Sequence, residues 1–426
     1  MKNRAMAAIE IDTLIIGGGQ AGLATSYYLT RQGHKHIVLE QSEKAGAVWR
    51  NRSWDSFTLV TPNWAFKIPG AKSNGADRDG FMPRHKVIEF FEDYASSFGL
   101  PVTYKTQVIS VTQTADGMYR TQTNLNDYLS NNVVVATGFF QQPKVPGFSN
   151  NLSPDIHQLH SSHYRNPKSL PEGAVLVVGS GQSGCQIAEE LLHAGREVFL
   201  STGSAGRAPR RYRGKDIIEW LEIAGFFDLT PDQLPPGMGK FDGIPHLSGR
   251  DGGHTINLHK FAQDGITLLG HVRDAKHNTI VVAPDLYDNL KIVDTFERDA
   301  TGMIDGYIDA KGLDAPGEAL QELRNGYAQT IITELDLNKE GVSTILWATG
   351  YTFDYNILKL PVLDQDGFPI QSSGVTNYPG LYFVGIPWMP SERTGFLLGV
   401  AESARHIASQ IAGPVSVEEP SRNFTI

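Results

Sequence analysis

The apolar positions of this chain fall into short runs that end in glycine. Ile11, Leu14, Ile15 and Ile16 form one run, closed by Gly17-Gly18-Gly19-Gln20-Ala21-Gly22, and such a run predicts a strand buried on both faces of a parallel sheet. Ala21 to Leu29 is small or apolar and lacks proline, which predicts a helix, and the chain turns at Gly33 into a second run, Ile37 to Leu39, that stops at Glu40. This is a βαβ pattern. It recurs as Val175 to Val178, then Gly179-Ser180-Gly181-Gln182-Ser183-Gly184, then a helical face of Ile187, Ala188, Leu191 and Leu192, and a returning strand to Leu200. The two motifs start 162 residues apart (179 minus 17), too far for a solenoid repeat. Three further strand-like runs end in glycine: Val133 to Ala136 before Thr137-Gly138, Thr344 to Ala348 before Gly350, and Leu381 to Val384 before Gly385. Phe396, Val400, Ala404, Ile407 and Ile411 form a helical stripe beginning near Gly395. Asp285 to Thr330 is more polar and reads as partly helical, with no function attached. Leu234 to Gly239 and Leu247 to Gly253 read as loops that could act as lids.

Composition narrows the classes. With 426 residues and 40% hydrophobic content, the chain has room for two or three domains at roughly 150 residues each. Lys and Arg number 37 against 46 Asp and Glu, a net charge of -9, which argues against a nonspecific nucleic-acid surface or a membrane-leaflet anchor. Cys185 is the single cysteine, so no internal disulfide, cysteine-only zinc site or two-cysteine redox centre can form within one chain. The apolar stretch in Met1 to Glu10 is too short for a secretory signal, and no run of about 18 apolar residues occurs. The expectation is a cytoplasmic protein with no membrane span, no metal and an open oligomeric state.

In a GxGxxG turn the first glycine permits the turn, the second lets the backbone approach a pyrophosphate, and the third allows close helix packing. The helix amino terminus then offers unpaired N–H groups to the phosphates. Both copies here sit in the strand, turn and helix context the mechanism needs. The residue closing the second strand separates the ligands. Glu40, 18 residues after Gly22, suits a free ribose hydroxyl. The second copy ends in Ser201-Thr202 without an acid and is followed by Arg207, Arg210, Arg211, Arg213 and Lys215. That favours NADPH, with Arg207 or Arg210 on its 2′-phosphate; the alternative is a solvated basic loop. Two dinucleotide sites in one chain imply electron flow between cofactors, most simply from a nicotinamide to a flavin.

These residues resemble the flavin-containing monooxygenases, which include plant-type indole-3-pyruvate monooxygenases. The resemblance runs through Gly17 to Gly22, Glu40-Gln41, Gly46-Ala47-Val48-Trp49-Arg50, Ala136-Thr137-Gly138, Gly179 to Gly184, Trp347-Ala348-Thr349-Gly350-Tyr351 and Gly380 to Gly385. The family's FxGxxxHxxx(Y/F) element is matched only in its second half, with Pro154 and Ile156 at the Phe and Gly positions, and Tyr164 stands where lactone-forming relatives carry Trp.

The resemblance implies an α/β fold of two dinucleotide-binding Rossmann-like domains, an NADPH domain (167–335) inserted into a discontinuous FAD domain (1–166 and 336–426). It implies that Gly17, Gly19, Gln20, Ala21, Gly22, Glu40, Gln41, Val48, Trp49, Arg50, Val108, Ala136, Thr137, Gly138 and Gly385 serve FAD. Gly179, Gly181, Gln182, Ser183, Gly184, Ala348, Thr349, Gly350 and Tyr351 complete the cofactor set, and Asn63 is the candidate catalytic residue beside the flavin. The implied activity is reduction of FAD by NADPH, formation of a C4a-peroxyflavin with O2, and transfer of one oxygen atom to a small substrate of amine, sulfide, indole or 2-oxo acid type. The helix near Gly395 would turn its positive end to the flavin, and Gly249 to His254 would lie over the cleft. Trp49, Trp64, Phe66, Phe139, Phe140, Trp388, Met389 and Phe396 flank the cofactor motifs. His157, His160, His163, His254 and His259 match no zinc motif and read as structural. A reductase of a non-disulfide acceptor and a nucleotide-binding redox sensor remain open as alternatives.

Overall fold

The computed structural model describes residues 8–73, 77–233, 245–389, 391–414 and 422–424; the loop expected at 234–239 lies outside them. The first glycine motif sits where the pattern placed it. Strand β1 (Ile9–Ile16) leads into helix α1 (Gln20–Arg31) and returns as β2 (His36–Leu39), which pairs parallel to β1 with Ile16 opposite Leu39. Nine consecutive residues of α1, Ala21 to Leu29, are buried. That is why the segment reads as small or apolar on every face. The strand β3 (Thr58–Pro62) pairs with Phe81–Pro83, and β4 (Asp127–Val135) pairs parallel to β1 along its other edge. Strands β1, β2 and β4, with Val102–Thr103 beyond β2, an antiparallel meander of Val108–Gln113 and Tyr119–Thr123, and Leu381–Phe383 along β4, build a seven-stranded sheet, from which the β3 pair stands apart.

The second unit repeats the plan. Strand β5 (Ala174–Val178), helix α2 (Gln182–His193) and β6 (Val198–Ser201) form its βαβ unit, with Val178 opposite Ser201. Beyond β6 lies β7 (Thr267–Leu269), followed by β8 (Val272–Lys276), the long helix α3 (Leu286–Lys311) and β9 (Val342–Trp347). The five-stranded parallel sheet has the order His157–His160, β9, β5, β6, β7.

This order moves the expected boundaries. His157–His160 hydrogen-bonds to β9, and β9 hydrogen-bonds to β5, so the second sheet takes in strands from both sides of the 167–335 segment. Val342 to Trp347 is buried at five of its six positions, and its only two-sided parallel slot is in that sheet. The chain crosses between units where Gln142–Pro143 pairs antiparallel with Tyr351–Thr352. It then re-enters the first sheet as β10 (Leu381–Phe383), parallel to the second half of β4, and closes with α4 (Val400–Ala412), which packs on α1.

Helix α4 begins at Val400, five residues after the expected start. Glu392–Gly395 is a separate 3-10 turn, and Phe396 is extended at φ -109 and ψ 165. The rest of the stripe holds: Val400, Ala404 and Ile407 are fully buried and Ile411 packs against the same core. Asp285 to Thr330, read as partly helical, is largely the 26-residue α3. An apolar cluster joins the two units, with Ala65 and Leu398 from one side and Ala208, Trp220, Leu221, Leu247 and Ile308 from the other.

Candidate functional site

At the first motif Gly17 has φ +108, and a Cβ there would lie 2.6 Å from the Ala136 carbonyl oxygen. A Cβ on Gly22 would lie 1.9 Å from the Gly17 carbonyl oxygen and 3.4 Å from the Ala136 Cβ. Turn, helix and β4 are therefore packed backbone against backbone. A Cβ on Gly19 would meet nothing within 4 Å, so this side of the turn is open. Gly19 also caps α1 without a side-chain hydrogen bond, which leaves the first N–H groups of the helix facing that opening. Gly385, at φ +71, abuts Ala21 of the same first turn.

Glu40 is 7% exposed and its carboxylate accepts from Gly18 N at 2.7 Å and Ser42 N at 2.8 Å. Thr106 N donates to the Glu40 carbonyl at 2.9 Å, which carries the start of the Val108 strand across the end of β2. Gln41 is exposed beside it. Thr137 Oγ1 accepts from Gln141 and the Gly138 carbonyl accepts from Tyr355. Ala47–Arg52 is a short helix in which Val48 is exposed and Trp49 packs on Phe57. The Arg50 guanidinium is 2.5 Å from Glu92, an ion pair that fixes its direction. Asn63 is buried at the end of β3. Its Nδ2 donates to the Asp77 carbonyl at 2.8 Å, while its Oδ1 is buried with no partner among the described residues. Such an atom costs about 1–3 kcal/mol unless something pairs with it.

The second motif reproduces the first almost atom for atom. Gly179 has φ +106, with the Ala348 carbonyl 2.6 Å from its added Cβ; on Gly184 that atom would stand 1.8 Å from the Gly179 carbonyl, and on Gly181 it would meet nothing. Ser183 is half-buried in the first turn of α2. Gln182 pairs its amide with both the N–H and the carbonyl of Leu247. Ala348 thus backs the cradle, while Thr349 bonds the Lys144 carbonyl and the Gly350 carbonyl accepts from Lys144 N and from His160. Tyr351 meets His160 edge to face at 5.1 Å. The Ala348 to Tyr351 element therefore serves the cradle at one end and the crossover at the other.

The arginines overturn an expectation. Arg207 is 5% exposed and pairs with Glu297 at 2.6 Å and Asp294 at 3.0 Å, both on α3. Arg210 is 1% exposed; it pairs with Asp216 at 2.7 Å, donates to the Val60 carbonyl of β3 at 2.8 Å and lies 4.2 Å from the Phe81 ring centroid. Neither guanidinium is free for a phosphate. Arg210 instead pins the second unit to the strand that leads into Asn63. The Gly249 to His254 segment is a strap rather than an open lid. Gly249 packs on the Leu59 carbonyl, Gly253 on Phe81, and His254 bonds Glu189 of α2 at 2.7 Å.

Of the flanking aromatics, Phe66 belongs to the core with Phe90 and Phe91, and Trp388 and Met389 are buried. Phe139 and Phe140 lie 4.1 Å apart beside Gly395, whose carbonyl accepts from Gln20. His160, His254 and His259 have structural partners, and no group of three or more His, Cys, Asp or Glu among the described residues could hold a metal. Cys185 is fully buried, and burial pushes its thiol up. No helix among the described residues is long and apolar enough to cross a membrane.

Comparison with known proteins agrees with this geometry. A family described as pyridine nucleotide-disulphide oxidoreductase matches residues 14–221. An uncharacterized CzcO-like oxidoreductase from Geobacillus kaustophilus is 33% identical over 403 residues, covering 94% of this chain and 98% of that one. The probable indole-3-pyruvate monooxygenase YUCCA1 of Arabidopsis thaliana is 30% identical over 190 residues, 42% of this chain and 44% of its own. The chain belongs to the family of CzcO-like oxidoreductases. The fold extends the likeness: a flavin-containing monooxygenase from Stenotrophomonas maltophilia superposes with a TM-score of 0.65 at 19% identity, covering 95% of this chain and 98% of that one. By its membership of the CzcO-like family this chain is an oxidoreductase. Sequence reasoning missed two devices in it, the Arg210 pin and the Glu189–His254 strap, because each joins residues distant along the chain.

Proposed function

We propose that this chain is an NADPH-dependent FAD monooxygenase that passes one oxygen atom of O2 to a small organic substrate. The observation that carries the reading is the pair of phosphate cradles, each open at its second glycine and closed by a different side chain. The residues fit the two groups. Gly17, Gly19, Gln20, Ala21, Gly22, Glu40, Gln41, Val108, Ala136, Thr137, Gly138 and Gly385 would hold FAD, with the buried Glu40 carboxylate toward its ribose, and Val48, Trp49 and Arg50 near its ring. Gly179, Gly181, Gln182, Ser183, Gly184 and the backing residues Ala348, Thr349, Gly350 and Tyr351 would hold NADPH. Bound there, the flavin supplies hydride acceptance and oxygen activation. The protein's share is to orient the cofactors, exclude water and present the unpaired Asn63 Oδ1 as a hydrogen-bond acceptor beside the reacting groups.

The test is to purify the protein with bound flavin, bleach it with NADPH under argon, and then admit isotopically labelled O2 with a sulfide, a tertiary amine, an indole or a 2-oxo acid. Label in an organic product supports the reading. NADPH oxidation that yields only hydrogen peroxide with every substrate, or electrons delivered only to an added acceptor, replaces it with a reductase. Asn63→Ala should retain flavin bleaching and lose most coupling to product.

A further inference from the structure

With Arg207 and Arg210 committed to internal partners, the second cradle needs another reader for the ribose end of its nucleotide. We propose that His271 and Arg273 together recognise the 2′-phosphate of NADPH. This rests on the reading of the second cradle as a pyridine-nucleotide site.

The ribose end of such a site lies at the carboxyl edge of the sheet, where the second strand of the βαβ unit stops. Here that strand is β6, and its neighbour β7 runs parallel with Ser201 opposite Leu269. The segments leaving β6 and β7 therefore emerge side by side. They are stitched together: Thr202 N donates to the Leu269 carbonyl at 2.8 Å, Ser201 Oγ to the Gly270 carbonyl at 2.9 Å, and Thr202 Oγ1 to the Leu269 carbonyl at 2.7 Å. The hydroxyls that replace the acid of the first cradle are thus spent on backbone carbonyls. They offer nothing equivalent to Glu40 for a ribose 2′-hydroxyl.

Directly beyond, His271 Nε2 lies 3.7 Å from where a Cβ on Gly203 would stand. The glycine leaves the ring edge open next to the end of β6. His271 Nδ1 is 2.9 Å from Asp285 Oδ2, its own N–H donates to Asp285 Oδ1 at 2.9 Å, and Nε2 has no partner among the described residues. Arg273 follows at a register shift between Val272 and Asp274. Such a bulge re-aims a strand side chain, and here it brings the guanidinium back to 3.3 Å from the same Asp285 oxygen. Its side chain is 62% exposed, so most of its five donors remain available for the planar, bidentate recognition that phosphate favours. Asp285 orients both side chains and is itself satisfied. Burial works against its ionisation, but hydrogen bonds from His271 outweigh it and hold the carboxyl below its ordinary range.

The test titrates the full-length, flavin-loaded protein with 2′,5′-ADP and with 5′-AMP by calorimetry, alongside NADPH and NADH under argon. His271→Ala and Arg273→Ala should each weaken 2′,5′-ADP about tenfold, the loss of one charge-assisted contact, and Arg273→Glu should weaken it further. Affinity for 5′-AMP should stay within about twofold in all three, and Arg273→Lys should recover part of the loss. Retained flavin absorption shows that each variant is folded. Unchanged 2′,5′-ADP affinity, or equal loss for both probes, overturns the assignment while leaving the nucleotide site standing. A wild type that binds none of the four ligands overturns the site reading and this proposal together.

Discussion

The two glycine cradles share a backbone and differ in the side chain that closes them. In both, the third glycine presses against the carbonyl of the first, at 1.9 Å and 1.8 Å from the absent Cβ, and an alanine backs the turn from a parallel strand. In the first, the closing group is a buried carboxylate that takes two backbone N–H donors; in the second, Ser180 Oγ, 2.9 Å from Gly203 N, does the stitching. Close packing dictates the cradle and leaves no latitude. The reader at the ribose end is a side-chain matter and can diverge.

The sharpest way to break the comparison is to fill each cradle. Gly22→Ala places a methyl against a backbone carbonyl that cannot swing aside, so a cost of about 3 kcal/mol or more is expected, with loss of bound flavin. Gly184→Ala should leave the flavin absorption in place and abolish its bleaching by NADPH. If Gly184→Ala also loses flavin, the cradles are not independent.

Next in size is the pin that ties the cradles together. Removing one partner of a buried ion pair leaves the other charge uncompensated, so Arg210→Met should lower stability by about 3–5 kcal/mol in urea unfolding. Burial pushes Asp216 up and Arg210 down, and the pair offsets this only in part. The double variant Arg210→Met, Asp216→Leu should therefore recover much of the stability. It should not recover the bond to the Val60 carbonyl, so coupling of NADPH oxidation to product should remain impaired.

A smaller contrast separates the closing groups. Glu40→Ala strands the Gly18 and Ser42 N–H groups, at about 1–3 kcal/mol each, whereas Ser180→Ala frees only Gly203 N and should cost about 1 kcal/mol. The check is the midpoint of thermal unfolding with and without added flavin. Similar costs would mean that the carboxylate is no more than another backbone clasp.

What the sequence made legible follows from range. The strands, turns and helices of both cradles were readable because strand burial, glycine spacing and helical periodicity are local. The lone Cys185 was readable as packing for the same reason, sitting one residue after Gly184. Arg207 and Arg210 were misplaced because a basic run shows charge and not burial; the partners of Arg207 lie 87 and 90 residues away on α3. The boundary at 335 failed because β9 looks like any buried strand, and only its hydrogen bonds to β5 and to His157–His160 assign it to the second sheet. The Gly-rich strap looked like a lid because glycine loops are mobile when nothing lies against them, whereas Gly249 and Gly253 are glycine to let β3 and Phe81 approach.

That strap carries the smallest expected effect and a pH signature. The hydrogen bond that His254 donates to Glu189 raises the pKa of the imidazole above its ordinary 6.5, with burial opposing and the Arg250 carbonyl assisting. A histidine raised on folding adds stability that is fully present below its unfolded pKa and is lost as pH climbs through the higher folded value. The His254 side chain is 35% exposed, so after solvent screening the contribution is under about 1 kcal/mol. Thermal midpoints should fall slightly as pH rises from 6.5 upward, and the fall should be absent in His254→Gln and in Glu189→Gln alike. The same loss should weaken NADPH more than flavin, since Glu189 lies on the helix of the second cradle. A pH slope that survives in both variants would show that the strap is held by Gly249 and Gly253 alone.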